Sequence, residues 1–185
     1  MFIISGSTHQ RLGVALAQET GAEFCGVVNK AYPDGERYVR ILRKVSGRDV
    51  VVIQNTFPDE KIVELLLLLE AIREAGAASV TTVIPYMGYA RQERIFQEGE
   101  AIAARAVARP IGMRSDRVLT VSIHTPEVLD FFGCPAEDID GLREVVRYLK
   151  GFTPGLVVAP DAGARERCAI AAKELKAPLH VMTKK

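Results

Sequence analysis

Short runs rich in valine and isoleucine alternate along this chain with longer segments that have a helical pattern. Several of these runs are apolar on both faces, which is typical of parallel strands buried between helices. The alternation therefore predicts an α/β fold in which a parallel sheet is flanked by helices. Strands are predicted at Phe2–Ser5, Val27–Asn29, Tyr38–Leu42, Val50–Gln54, Val80–Pro85, Val118–Ile123, Leu156–Ala159 and Leu179–Met182.

Helices are predicted between these strands, at Thr8–Thr20, Asp59–Ala75, Glu100–Val107, Leu142–Lys150 and Ala164–Leu175. Ser7 is a candidate N-cap for the first helix, and Pro110 is expected to stop the third. In the second helix, Leu67 and Leu68 add apolar surface beyond the regular helical stripe. This extra surface indicates either burial between neighbouring elements or a contact with another subunit.

Glycine and proline interrupt the pattern at residues 151–155, which predicts a domain boundary there. Residues 1–150 would form an N-terminal domain. Residues 151–185 contain only a strand, a helix and a strand, which is too little to bury a core. We therefore expect this segment to be the beginning of a second, similar domain.

The overall composition restricts the classes of partner. Of the 185 residues, 48% are hydrophobic, which is enough for a core, and the formal net charge of +1 gives no reason to expect a nucleic acid or an anionic membrane. Cys25, Cys134 and Cys168 form no CxxC pair, so the usage fits a reducing cytoplasm. The N-terminus lacks the pattern of a signal peptide, and the longest apolar run, Leu65–Leu69, is too short to span a bilayer.

Polar residues follow two of the predicted strands, at the sheet edge where open α/β sheets bind ligands. Residues 86–94, after the strand Val80–Pro85, contain two tyrosines, a glycine and two arginines. The planar guanidinium of Arg91 could pair with two phosphate oxygens, and a tyrosine could stack on a base. A solvated loop is the alternative. His124 follows the strand Val118–Ile123 and could meet a metal or a phosphate, or have a structural role.

Two further motifs have both a functional and a structural interpretation. Asp161 follows the strand Leu156–Ala159 and could be a Mg²⁺ ligand, an acceptor for a sugar hydroxyl or a helix N-cap. The segment 32–36 places a tyrosine beside two carboxylates but is also an ordinary turn signal. Neither GxxxxGK[ST] nor GxGxxG occurs in the chain, which argues against a P-loop kinase and a Rossmann dehydrogenase.

The order of these motifs resembles that of the ribose-phosphate pyrophosphokinases, the PRPP synthetases. The most specific of them is Pro-Tyr-Met-Gly-Tyr-Ala-Arg-Gln at 85–92, and the resemblance extends essentially from Met1 to Lys185. It implies phosphoribosyltransferase-like domains and a homo-oligomer of at least two subunits. The implied reaction is the Mg²⁺-dependent transfer of the β,γ-pyrophosphoryl group of ATP to the 1-hydroxyl of ribose 5-phosphate. This reaction gives PRPP and AMP and serves nucleotide biosynthesis.

The resemblance also implies an ATP site. Tyr32 would pack on the adenine, and Asp34 and Glu36 would recognise it, typically across a subunit interface. Arg91 and Gln92 match the residues that hold ATP, with Arg91 on the phosphates.

Metal and catalytic roles are implied at three further positions. His124 and Asp161 match the residues associated with Mg²⁺, with His124 also beside ATP and Asp161 beside ribose 5-phosphate. Lys184 matches the catalytic lysine that stabilises the pyrophosphoryl group. Ser122 stands where many members have aspartate. We expect Arg91, His124 and Asp161 to converge on one cleft.

The family's later loop that cradles the sugar 5-phosphate has no counterpart within these 185 residues. We therefore expect this chain alone not to make PRPP at an appreciable rate. The alternative function is that of a non-catalytic, nucleotide-binding or regulatory relative, which ATP binding without turnover would favour.

Overall fold

A computed structural model describes residues 1–183 of the chain. The chain divides into two compact units, Met1–Ile139 and Asp140–Lys185. The second unit begins ahead of the segment 151–155, where glycine and proline predict a boundary. Helix α4 (Gly141–Tyr148) belongs to this unit, in which it contacts helix α5 (Arg165–Leu175).

A sheet of six strands forms the centre of the first unit. Its strands are β1 (Phe2–Ser5), β2 (Glu23–Cys25), β5 (Asp49–Ile53), β6 (Ser79–Ile84), β7 (Arg117–Val121) and β8 (Ala136–Ile139). Their order in the sheet is β2-β1-β5-β6-β7-β8, and every neighbouring pair is parallel. Since the carboxyl ends of parallel strands lie at one edge, the loops that follow β1, β5, β6 and β7 leave the sheet together.

The first unit also contains the helices α1 (Gln10–Thr20), α2 (Glu60–Glu74) and α3 (Ala103–Gly112). Successive side chains of β1 point to opposite faces. Ile3 packs with Ala17 of α1, whereas Ile4 belongs to the larger core cluster that includes buried leucines of α2. The predicted α/β fold, a parallel sheet flanked by helices, is therefore confirmed. Leu68 is fully buried and Leu67 is 37% exposed, so burial explains only one of these two leucines.

Strands β3 (Val27–Ala31) and β4 (Arg37–Ile41) form an antiparallel hairpin outside the parallel sheet. Both were predicted as strands, but their pairing was not. β4 packs against α2, which supports the hairpin from one side. In the connecting turn, the Gly35 N–H donates to the carbonyl of Tyr32 at 2.9 Å, and Gly35 has a φ of 93°, which glycine adopts without strain.

The second unit contains α4, β9 (Val157–Ala159), α5 and β10 (Leu179–Val181), with β9 and β10 paired in parallel. The predicted strand, helix and strand are thus all present.

Three 3-10 helices occur in the described part of the chain, at Pro126–Phe132, Leu149–Gly151 and Ala162–Ala164. Among residues 1–183, no helix has the length and apolar character needed to cross a membrane.

Two strands were missed and two details of the helices were predicted wrongly. β2 and β8 lie at the two edges of the sheet, where a strand need not be apolar on both faces. Ser7 does not cap α1, because the helix begins at Gln10 and the Ser7 hydroxyl donates to Glu64 instead. α3 ends near Pro110, as expected, but at Gly112 and not at the predicted Val107, and Ile111 in this additional turn is buried in the core.

Candidate functional site

The loop after β6 is fixed by its backbone to the residues that follow β5. The Tyr86 N–H donates to Asn55 Oδ1 at 2.9 Å, and the Tyr86 carbonyl accepts from the Thr56 N–H at 3.2 Å. The Gly88 N–H donates to Thr56 Oγ1 at 2.7 Å. A Cβ at Gly88 would lie 2.8 Å from the Thr56 carbonyl oxygen, so only glycine permits this approach. The first half of the loop is therefore held by hydrogen bonds that its main-chain atoms make to Asn55 and Thr56.

Tyr89 continues the loop in a strained backbone conformation. Its φ of 65° lies in the left-handed region, which is uncommon for a bulky residue and is found most often at functional sites. The Tyr89 hydroxyl donates to Asp59 Oδ1 at 2.8 Å. This hydrogen bond, together with the negative charge of Asp59, raises the pKa of the Tyr89 phenol.

Arg91 and Gln92 lie at the end of this fixed segment. The Gln92 N–H donates to the Tyr89 carbonyl at 3.1 Å, and the Gln92 carbonyl accepts from the Ala104 N–H of α3 at 3.2 Å. The Arg91 side chain is exposed and takes part in none of the ion pairs found among residues 1–183. Its position is thus set by the backbone while its charge faces solvent, as a ligand for an anion requires.

His124 leaves the same edge of the sheet from the neighbouring strand. β6 and β7 are parallel partners, with Ile84 opposite Thr120, so His124 and the Arg91 loop follow adjacent strand ends. His124 is exposed. Just before it, Ser122 has a φ of 49°, again in the left-handed region. Two unusual backbone conformations, at Tyr89 and Ser122, therefore each lie two residues before a residue predicted to contact ATP, Arg91 and His124.

The turn that carries His124 is supported by Asp138 of the edge strand β8. Asp138 Oδ1 accepts from Thr120 Oγ1 at 2.6 Å and from the Ile123 N–H at 3.0 Å. The Ser122 N–H donates to the Ile139 carbonyl at 3.0 Å. A carboxylate thus stabilises this turn. It comes from Asp138 on the neighbouring strand and not from position 122, where the resemblance leads one to expect an aspartate.

The turn after β1 is bound to α2 through a buried carboxylate. Glu64 is 1% exposed and accepts from the Ser7 N–H at 2.6 Å and from the Ser7 hydroxyl at 2.8 Å. Lys61 Nζ donates to Ser7 Oγ at 2.9 Å and to Glu64 Oε2 at 3.2 Å. Burial raises the pKa of Glu64, but the hydrogen bonds from Ser7 and Asn29 and the charge of Lys61 outweigh it and leave this pKa below the ordinary value.

The next two residues of the same turn bind the residues after β5. Gln54 Oε1 accepts from the Thr8 N–H at 3.1 Å and from the Thr8 hydroxyl at 2.7 Å. His9 Nε2 lies 2.8 Å from Asn55 Oδ1, the atom that also accepts from Tyr86. A continuous set of hydrogen bonds therefore connects the turn after β1 to the loop that carries Arg91.

The sequence profile for the N-terminal domain of ribose phosphate pyrophosphokinase matches residues 1–113, which include this loop. The chain belongs to the ribose phosphate pyrophosphokinase family. Proteins named ribose-phosphate pyrophosphokinase from Methanopyrus kandleri and Methanosarcina mazei are 39% and 43% identical to it. The matched regions cover 90% and 88% of this chain but only 58% and 55% of the two relatives, so the chain spans little more than half of their length.

A solved structure is similar as well. The crystal structure of phosphoribosylpyrophosphate synthetase from Mycobacterium smegmatis has a TM-score of 0.85 and 25% sequence identity with this chain. The match covers 100% of this chain and 64% of the other. The family resemblance of the motifs at 32–36 and 85–92 is therefore confirmed at the level of fold and family.

The residues that the pyrophosphokinase resemblance assigns to adenine lie at the tip of the hairpin. Tyr32, Asp34 and Glu36 are all exposed, and the Tyr32 ring packs edge-to-face on Tyr38 with 6.4 Å between ring centroids. Asp34 Oδ1 accepts from the Glu36 N–H at 3.1 Å, so Asp34 also stabilises the turn. Adenine recognition by these residues stays a prediction.

Two predicted site residues, Asp161 and Lys184, belong to the second unit. Asp161 Oδ1 accepts from the Ala164 N–H at 3.1 Å, so Asp161 caps the 3-10 helix Ala162–Ala164. An N-cap is one of the roles that the sequence suggests for Asp161. Its role toward Mg²⁺ and ribose 5-phosphate, and its convergence with Arg91 and His124, stay predictions. Lys184 lies outside the described residues. Residues 1–183 contain no cluster of three or more His, Cys, Asp or Glu side chains able to hold a metal by themselves.

The sequence did not point to the residues that support the site. Gln54, Asn55, Glu64 and Asp138 each hold a turn at the carboxyl edge of the sheet, yet their hydrogen-bond partners are 15 to 57 positions away in the chain. A polar residue directly after a buried strand, as in Gln54-Asn55, is the one signal that could have indicated them.

Proposed function

We propose that this chain is the ATP-binding part of a ribose-phosphate pyrophosphokinase. The protein would transfer the β,γ-pyrophosphoryl group of ATP to the 1-hydroxyl of ribose 5-phosphate. The observation that carries this proposal is the loop after β6, which lies inside the segment that matches the family. Its backbone is fixed at Tyr86, Gly88 and Gln92, and the exposed guanidinium of Arg91 extends from it.

This arrangement suits pyrophosphoryl transfer. In the proposed reaction the ribose 1-hydroxyl attacks the β-phosphorus, the bond from that phosphorus to the α-phosphate oxygen breaks, and AMP leaves. Such transfers depend on alignment and on neutralising phosphate charge, and they need no nucleophilic side chain. Arg91 would donate charge-assisted hydrogen bonds to phosphate oxygens, and Lys184 would act at the transferred group.

The donor set fits a cation that arrives with the nucleotide. Mg²⁺ in nucleotide sites is commonly held by one or two carboxylates together with substrate phosphates, so a complete protein cage is not required. When bound, Mg²⁺ supplies positive charge at the phosphate oxygens. His124 would face this metal nucleotide from the end of β7. Asp161 would contribute a carboxylate to the metal and contact ribose 5-phosphate.

The hairpin tip would complete the ATP site. The adenine would pack on Tyr32, and Asp34 and Glu36 would accept hydrogen bonds from it. We further propose that this contact crosses a subunit interface, so the working protein is at least a dimer. The three free cysteines suit work in the cytoplasm, as part of nucleotide biosynthesis.

Calorimetric titration of the chain with Mg-ATP tests the nucleotide site. Arg91→Ala should weaken ATP binding about tenfold to a hundredfold, because it removes charge-assisted hydrogen bonds worth about 1.5–3 kcal/mol. Arg94→Ala is the matched control, since Arg94 lies in the same loop but packs over Phe96 and pairs with Glu93. Equal ATP affinity in wild type and Arg91→Ala would refute the assignment of Arg91.

A second assay separates catalysis from binding. The chain is incubated with Mg-ATP and ribose 5-phosphate, and release of AMP is followed. ATP binding without AMP release by residues 1–185 alone fits both the proposed function and a non-catalytic relative, whereas AMP release would exclude the non-catalytic relative. Turnover comparable with that of a full-length relative would show that this chain already contains a site for the sugar phosphate.

A further inference from the structure

One side-chain oxygen joins three elements at the carboxyl edge of the sheet. Asn55 Oδ1 accepts from the Tyr86 N–H at 2.9 Å and lies 2.8 Å from His9 Nε2. Asn55 directly follows Gln54 at the end of β5, His9 is the N-cap of α1, and Tyr86 opens the loop after β6. Asn55 is thus the point at which the turn after β1 meets the loop that carries Arg91.

The chemistry of the donors fixes the roles of these atoms. A backbone N–H can only donate, so the Asn55 atom that faces Tyr86 must be the amide oxygen. His9 Nε2 must therefore carry a hydrogen and donate to the same oxygen. The Asn55 N–H also donates to Thr8 Oγ1 at 3.1 Å, so Asn55 is held through its own backbone as well. The geometry leaves Asn55 one orientation.

We propose that Asn55 is a positioning residue for the loop 86–92, which places Arg91 and Gln92 for the phosphates of a nucleotide. This inference rests on the proposed function, since it assumes that the loop binds ATP. Further hydrogen bonds continue along the loop: the Thr56 N–H donates to the Tyr86 carbonyl, the Thr56 hydroxyl accepts from the Gly88 N–H, and the Tyr89 carbonyl accepts from the Gln92 N–H. Asn55 itself would not touch the nucleotide.

Limited trypsin cleavage measures the order of the loop without any ligand. Trypsin can cut after Arg91 within the loop, and after Arg43, which is exposed in the segment that follows β4 and serves as the internal reference. Asn55→Ala should raise the rate of cleavage after Arg91 about tenfold relative to that after Arg43, because local opening costs less once a hydrogen-bond acceptor is lost. Asn55→Asp, which keeps the oxygen acceptors, should stay close to wild type.

Ser7→Ala is the matched control. Ser7 lies in the same turn as His9, but its hydroxyl bonds to Glu64 and Lys61 of α2 and not to the loop. It should lower the unfolding midpoint without changing the ratio of cleavage after Arg91 to that after Arg43. His9→Ala should have an intermediate effect on this ratio, because Asn55 would still hold Tyr86.

The second measurement is calorimetric binding of Mg-ATP and of inorganic tripolyphosphate. Because Asn55 acts on the phosphate-binding residues and not on the base, Asn55→Ala should weaken both ligands by the same factor, about five- to tenfold. A loss confined to ATP would contradict the proposal, as would increased cleavage with unchanged affinity for both ligands. An unchanged cleavage ratio would also overturn it.

The two arms separate this inference from the proposed function. If the wild-type chain binds neither ATP nor tripolyphosphate, the nucleotide function fails, and the cleavage ratio still shows whether Asn55 orders the loop. If wild type binds both ligands and Asn55→Ala does too with equal affinity, the nucleotide function stands and the positioning role of Asn55 falls. Should Asn55→Ala not fold, His9→Ala and Asn55→Asp decide the same question.

Discussion

The turn after β1 and the loop after β6 leave the same edge of one sheet but use their side chains in opposite ways. In the turn, Ser7, Thr8 and His9 each place a side chain on a neighbouring element. In the loop, the backbone makes most of the hydrogen bonds, and the side chains of Tyr86 and Arg91 are exposed. The comparison teaches that a segment can keep its side chains exposed when other segments supply its rigidity.

The difference is also one of charge. Beside the turn, α2 holds an ion pair between partly exposed Lys61 and buried Glu64, and the Glu64 carboxylate also accepts hydrogen bonds from Ser7. The loop leaves the positive charge of Arg91 in solvent, where an anion can reach it. Substitutions in the turn should therefore change stability, and substitutions in the loop should change affinity.

The largest effect is expected from Glu64→Ala. Removing the buried Glu64 carboxylate leaves the Ser7 N–H without its acceptor and the charge of Lys61 without its counter-ion, and should lower the free energy of unfolding by about 3 kcal/mol. Urea unfolding measures this loss. Glu70→Ala is the control, because Glu70 is an exposed partner of Arg114 and surface pairs contribute about 1 kcal/mol or less. If the Glu64 variant were as stable as the Glu70 variant, the hydrogen bonds between Glu64 and the turn after β1 would not contribute to stability as we expect.

Acid should weaken the same ion pair. The pKa of Glu64 is lower in the folded chain than in the unfolded chain, so its contribution to stability is complete above about pH 4.3, the ordinary value for glutamate. It is lost as the pH falls through the lower folded pKa. Below about pH 4.3, wild type should therefore lose stability more steeply than Glu64→Gln, as urea unfolding at several pH values would show. Parallel curves for the two proteins would contradict the depressed pKa.

The hairpin should affect nucleotide affinity by a smaller amount. Aromatic packing on adenine contributes about 1 kcal/mol beyond burial, so Tyr32→Ala should weaken ATP binding about tenfold or less. Tripolyphosphate, which lacks a base, should bind with unchanged affinity, and calorimetry measures both. Tyr148→Ala is the control, because Tyr148 is 89% exposed in the second unit. Unchanged ATP affinity in folded Tyr32→Ala would exclude Tyr32 from the adenine site.

The smallest effect concerns the hydrogen bond between Tyr89 and Asp59. Asp59→Asn should bring the raised pKa of the Tyr89 phenol down toward the ordinary tyrosine value, because it weakens the hydrogen bond that holds the phenol proton and removes the negative charge that opposes ionisation. A titration of the phenol ring followed by NMR gives this value directly. Thermal unfolding should hardly change, since both groups are exposed. An unaltered Tyr89 pKa would show that Asp59 does not restrain this part of the loop.

The sequence predicted the central strands because their apolar runs are unambiguous. β1, β5, β6 and β7 all lie where runs of valine and isoleucine place them, within a residue or two. β8 was missed because Glu137 and Asp138 interrupt its apolar character at the edge of the sheet. An edge strand such as β8 forms because it pairs with a neighbouring strand, and the local sequence pattern does not show this pairing.

The candidate site could be predicted only in part, for a related reason. His124 and the loop that carries Arg91 could be proposed because each follows a predicted buried strand, whereas Gln92 was assigned through the family resemblance. Asn55 and Glu64 could not, because their importance depends on contacts with Tyr86 and Ser7, which are 31 and 57 positions away. Glu64 has the sequence context of an ordinary helical glutamate, and only the fold shows that it is buried.

The central claim is that the loop 86–92 contacts the nucleotide while the turn at Ser7–His9 only supports the loop. A crystal structure of the chain with Mg²⁺ and a non-hydrolysable ATP analogue would test this claim most directly. We expect the phosphate oxygens to lie within hydrogen-bonding distance of the Arg91 guanidinium and Gln92, with His124 facing the metal nucleotide. Ser7 and Glu64 should keep their hydrogen bonds unchanged. A triphosphate bound instead to the turn at Ser7–His9, with Arg91 still in solvent, would contradict the account.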